Sequence, residues 1–157
     1  MPRTEVAMTR RFFAMLAGLA AVTATAQSAE AAPTPFLGVW RIIETRVAPW
    51  AKPGESAFSP EEQRALVGST VTYGKRAITA RAPLGCAGPH YRWHDVAPDY
   101  LFQGTLTDPV NQARALGFGA TIATLETGCE GLIDFHFVDG RTAMFALNNM
   151  IYTLKKR

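Results

Sequence analysis

The stretch CAGPHYRWHD, residues 86–95, gathers more chemistry-bearing side chains than any other part of the chain. His90 and His94 stand four apart with Asp95 adjacent, and on a helix two such imidazoles would share a face and could ligate zinc. Pro89, Tyr91 and Trp93 favour a strand instead. Residues four apart on a strand also share a face, but lie roughly 13 Å from each other, too far for one ion. His136 adds a third imidazole, on the same strand face as Asp134. His90, His94 and Asp95 are therefore the candidate ligands, and the expectation is that neither a metal nor another cofactor is bound. No G-x-S-x-G, H-E-x-x-H or phosphate-cradling glycine loop occurs in the sequence. Glu44, Asp95 and Asp134 could form an acid–base pair, but any domain has such candidate pairs, so the reading leans away from an enzyme.

The two cysteines, Cys86 and Cys129, both lie beyond the first thirty residues. In an oxidising compartment an even pair in a small domain reads as a disulfide. No C-x-x-C is present, which argues against a redox pair.

An oxidising compartment is what the N-terminus implies. Arg10 and Arg11 precede an apolar run over 12–22, followed by small residues with the small-x-small patterns Ala24–Ala26 and Ala29–Ala31. That is the layout of a secretory signal peptide, over 1–26 with cleavage up to about residue 32, and its apolar run is short for a membrane span. TRRFF resembles a twin-arginine signal at Thr9, Arg10, Arg11 and Phe13 without the downstream Leu and Lys, so two export routes stay open. The expected location is periplasmic or secreted. From residue 33 onward, thirteen Lys and Arg face eleven Asp and Glu, a net charge of +2 too mild and scattered to indicate nucleic acid. No later stretch reaches a transmembrane length.

Residues 33–157 are expected to form one domain. Strand patterns fall at 37–47, 69–73, 77–81, 91–96, 100–106, 119–126, 131–138, 141–147 and 150–155, with Asp139-Gly140 as a hairpin signal. Over 37–47 the alternation places Trp40, Ile42 and Glu44 on one face. SPEEQRALVG reads as a short helix, capped by Ser59, started by Pro60 and stopped by Gly68, and DPVNQARALG as another with Asp108, Pro109 and Gly117 in those roles. The reading is mainly β: a single antiparallel barrel of about eight strands with one or two short helices, a two-sheet sandwich being the competitor.

Phe36, Gly38 and Trp40 in FLGVW resemble the F-x-G-x-W opening of the calycin superfamily, the lipocalins and fatty-acid-binding proteins. The resemblance implies a closed barrel with Trp40 at its floor and a late basic residue, from Lys155, Lys156 and Arg157, packed across it.

On that reading Trp40, Tyr91, Trp93, Phe102, Phe135 and Phe145 are candidate ligand-binding residues lining an apolar interior, and the partner is a small apolar or amphipathic molecule. The alternative is a periplasmic protein-binding module such as a hydrolase inhibitor, using the loops 48–58 and 83–90. A structural envelope protein is the third. Trp50 separates the first two: exposed, it favours a partner; folded over the barrel mouth, a lid.

Overall fold

In a computed structural model of the chain the described residues are 34–52, 59–131 and 133–157. The expected leader lies outside them, as does 53–58 of one proposed contact loop.

The longest strand, β1 (Gly38–Val47), sets the two faces of the sheet: Trp40 and Ile42 are buried, Val39 and Arg41 exposed. The alternation breaks after Ile42. A β-bulge between Ile42 and Glu44 shifts the register, so Thr45 pairs with Tyr152 and Glu44 with Thr153. One extra residue thus turns Glu44 away from the face of Trp40 and Ile42, against the strict alternation of the sequence.

After β1 come α1 (Pro60–Leu66), β2 (Thr70–Tyr73), β3 (Ala77–Thr79), β4 (Cys86–Ala87) and β5 (Arg92–Val96). Two 3-10 turns within Pro98–Gly104 lead to α2 (Pro109–Ala115), and β6 (Ile122–Glu126), β7 (Phe135–Asp139), β8 (Thr142–Leu147) and β9 (Met150–Lys156) complete the chain. The Ser59 hydroxyl accepts from the Glu62 N–H at 3.2 Å and Pro60 occupies the first turn, so α1 starts where its capping residues dictate. Asn148 and Asn149, both at positive φ, make the turn from β8 to β9.

The nine strands form one antiparallel sheet in the order β4-β3-β2-β1-β9-β8-β7-β6-β5. The sheet curls through 225° and leaves its edges, β4 and β5, 15 Å apart. This corrects the expected fold: the protein is an open half-barrel, not the closed calycin-type barrel that FLGVW suggested. Closure needs two long edge strands with unbroken ladders. β4 has two residues, and Pro83 and Pro89 on either side of it have no N–H to donate. The local contact implied for Trp40 is present, with the Lys156 ammonium 5.5 Å from its ring centroid, but it belongs to a sheet that stays open.

Side chains span the gap where strands do not. Cys86 on β4 is disulfide-bonded to Cys129 in the β6–β7 connection. The Tyr91 hydroxyl donates to the Gly74 carbonyl at 2.9 Å. Phe36, just before β1, inserts its ring between Tyr91 and Trp93, with centroids at 4.8 and 5.7 Å.

The concave side is packed by the protein's own side chains, with a cleft of about 390 Å³ left beside Trp93, Asp95 and Phe137. Trp40, Tyr73, Phe135, Phe137, Phe145 and Tyr152 make its core, and Leu66 of α1 closes one end. The convex side is covered over one half only. There Leu101, Phe102, Leu106, Ala113 and Phe118, from the 3-10 turns and α2, pack on Ile122, Met144 and Ile151.

The strand expected over 100–106 is replaced by those 3-10 turns. Leu101 is extended while Phe102 and Gln103 are left-handed at φ 49° and 62°. The Phe102 N–H, which a strand would give to a neighbour, goes to His136 Nε2 at 3.1 Å.

Candidate functional site

With the concave core packed and half the convex side covered, the convex face of β1, β2 and β3, beside the C-terminal end of α1, is left uncovered by the described residues. Strand pleating selects what lies there. Val71, Tyr73 and Ile78 point into the core, so Thr70, Thr72 and Thr79 point out. These hydroxyls floor an open cleft of about 600 Å³ rimmed by Arg64, Gly68, Ser69 and Arg81.

β1 borders this cleft through Val39, paired with Thr72, and Arg41, paired with Thr70. A Cβ on Gly68 would stand 3.9 Å from Arg41 Nη2, which places that guanidinium at the rim. On its other side Arg41 is paired with Lys155 of β9. Two cations directly opposite on one face repel. Lys155 is partly answered: its ammonium donates to the Thr142 hydroxyl, which donates to Asp139 Oδ2 at 3.0 Å. The Asp139 carboxyl is held below its usual range first by the Arg141 N–H, then by Thr142 and the Lys155 charge. Among the described residues no carboxylate pairs with Arg41, and exposed Val39 and Ile43 flank it along β1.

The other half of the convex face carries the histidines and a second polar cluster. His136 is 1% exposed, accepts at Nε2 from Phe102 N–H, and has Nδ1 2.9 Å from the Thr124 hydroxyl. With Nε2 accepting, the proton resides on Nδ1 and goes to Thr124, whose own hydroxyl donates to the Ile122 carbonyl. Burial, then the neighbouring His94 charge, drives the His136 pKa down to about 4. Glu126 accepts from Arg92 at 3.2 and 3.3 Å. His94 Nε2 is 2.8 Å from Glu126 Oε1, within ion-pair distance but outside hydrogen-bond alignment. Asp134 beside them is raised, by burial first and then by Glu126, with His94 acting the other way. The geometry is that of a structural lock: both nitrogens of His136 hold backbone and wall in place.

The structure scatters the residues singled out from sequence. Trp40, Phe135 and Phe145 are fully buried packing of the concave core. Tyr91 and Trp93 hold Phe36 in the seam. Phe102 is on the opposite, convex side, against His136 and Trp50. They line no common cavity, so the expected ligand-binding interior is replaced by packed side chains in an open half-barrel. Trp50 is neither exposed nor a lid: its indole N–H donates to Asn149 Oδ1 at 3.1 Å while its ring lies on Phe102. His94 and Asp95, adjacent on β5, face opposite ways, and His90 precedes the strand with its N–H given to the Thr127 carbonyl. Among the described residues no group of three or more His, Cys, Asp and Glu could hold a metal, and no helix is long and apolar enough to cross a membrane.

The arginines of the uncovered face were missed because charge was counted along the chain, where they are diluted. The signal available was the T-V-T-Y alternation of 70–73 beside Arg41, out of phase with Trp40. No protein-family model matches the chain, and no curated protein or solved structure matches it either.

Proposed function

We propose that the chain is an exported, non-catalytic protein-binding module that meets its partner with the uncovered convex face of β1, β2 and β3. The observation that carries this reading is the half-covered sheet. The 3-10 turns and α2 bury one half of the convex side, and the other half leaves Val39 and Ile43 39% and 43% exposed around Arg41. Apolar residues around a central arginine are the composition of an interface core rather than of a solvated strand. Export is supported by the leader pattern of 1–26 and by the Cys86–Cys129 bridge, a linkage of oxidising compartments. A binding rather than catalytic role is supported by the engagement of His136 at both ring nitrogens, which leaves neither free to accept a substrate proton.

A photo-crosslinking amino acid placed at Ile43, with the same group at Tyr100 on the covered half as control, tests the reading in an envelope extract. Tyr100 is 70% exposed, so accessibility alone favours the control. Capture of one protein from position 43 and not from 100, followed by reconstitution from the two purified components, is the expected result. Equal capture at both positions, or none at 43, would refute the reading.

A further inference from the structure

We infer that the partner docks on this face through an acidic segment, its carboxylates seated on Arg41, Arg64 and Arg81 over the threonine floor. The inference rests on the protein-binding reading and names the chemistry of the partner.

Three observations carry it. The first is the absence of counter-charge at these guanidiniums. Among the described residues no carboxylate pairs with Arg41, Arg64 or Arg81, while Glu44 is 3.5 Å from Arg46 and Glu126 is bound to Arg92. Glu62, two residues before Arg64, is directed away to the Tyr152 hydroxyl and the Asn148 amide at 3.0 and 2.7 Å, and Glu61, one turn before Arg64, is not within ion-pair distance of it. The second is register. Thr70 pairs with Arg41, which pairs with Lys155, and Arg81, two residues past the end of β3, lines the same cleft as Thr70. Arg41 and Lys155 therefore stand side by side, about 5 Å apart at the backbone, and Arg81 rims the cleft from the β3 side of β2. Adjacent like charges lower the stability of the free protein, and the repulsion is relieved when anions occupy the face.

The third is the distribution of charge and its surroundings. The cations are spread out rather than converging on one point, and Arg64 sits in the last turn of α1, beside the negative end of the helix. That negative helix end opposes a concentrated dianion such as phosphate but tolerates separate single charges. Guanidinium forks match planar carboxylates, and threonine hydroxyls donate to the oxygens left over. Val39 and Ile43 beside Arg41 give a protein segment apolar contact that a simple polyanion would not use.

The test uses the purified, disulfide-intact protein and a fluorescein-labelled decaglutamate peptide, read by fluorescence anisotropy at low and physiological salt. Saturable binding is expected. The combined variant Arg41→Gln, Arg64→Gln, Arg81→Gln should weaken it about tenfold or more, whereas Arg76→Gln, Arg114→Gln, Arg141→Gln, with the same change in net charge, should change it by no more than about twofold. Equal weakening in both variants would overturn the inference, since net charge alone would then explain binding. So would phosphatidylglycerol vesicles or inorganic phosphate binding saturably where the peptide does not. Thermal melts in the absence of peptide guard against a folding defect: the first triple variant should melt no lower than the parent, because it removes repulsion. A partner captured at Ile43 that binds this variant undiminished would refute the acidic contact and leave the module reading intact, whereas failure of capture would refute the module itself.

Discussion

The His136 lock makes the stability of the protein depend on pH in a way one substitution isolates. In the folded state the imidazole is neutral, buried and bonded at both nitrogens, and its pKa falls from an ordinary 6.5 to about 4. The unfolded chain therefore takes up a proton between those values that the native state refuses. Stability is full above about pH 6.5 and is lost as pH falls towards 4, the sense expected for any group whose folded pKa is depressed. At 1.36 kcal/mol per pH unit the shift corresponds to about 3 kcal/mol, a large share of the 5–15 kcal/mol typical of a domain. Protonation would also turn Nε2 from acceptor to donor, opposite the Phe102 N–H, so the left-handed Phe102–Gln103 pair is the first part expected to loosen. His136→Gln keeps an acceptor for Phe102 and a donor for Thr124 but does not titrate. Urea unfolding of both proteins at about pH 7.5, 5.5 and 4.5 gives the difference in stability, from which groups common to both cancel. Asp134, whose raised pKa acts with the opposite sign, is one of these. The parent's advantage over the variant should shrink by about 2–3 kcal/mol across the series. A difference constant to within about 0.5 kcal/mol would refute the buried, neutral imidazole.

Reduction of the Cys86–Cys129 bridge frees a loop of 43 residues, and by loop-closure entropy the Cys86→Ala, Cys129→Ala protein should lose about 4 kcal/mol in urea titration. Phe36→Ala, which removes the ring from between Tyr91 and Trp93 in the seam, should cost about 3–5 kcal/mol by the same assay; a loss below about 1 kcal/mol would show that the seam does not need it. Arg41→Gln relieves the cross-strand repulsion with Lys155 and should raise Tm by about 1–3 °C in calorimetry, more at low salt than at high.

Much of the local structure was legible in the sequence because the forces that set it are local. Ser59 and Pro60 fix the start of α1, Asn148 and Asn149 make the β8–β9 turn, and the apolar runs of 141–147 and 150–155 yield β8 and β9, strands buried on both faces. The Cys86–Cys129 pairing followed from having two cysteines behind an export pattern. The conformation of 100–106 was not legible. YLFQ carries strand formers, and the contact that overrides them is an imidazole 34 residues away. Nor was the bulge after Ile42, which appears only against the register of β9.

The sequence by itself determined most of the elements and the covalent staple, since these depend on residues near one another in the chain or on residue type alone. Tertiary structure decided whether the sheet closed, because closure depends on a ladder between β4 and β5 that a two-residue strand flanked by prolines cannot extend, and side chains, Phe36 among them, bridge the edges instead. It also decided where the aromatic side chains went, into a packed interior rather than a ligand cavity. Last, it turned arginines at 41, 64 and 81, unremarkable in a chain of mild net charge, into neighbours on one uncovered face, because strand register and pleat bring together what sequence separation keeps apart.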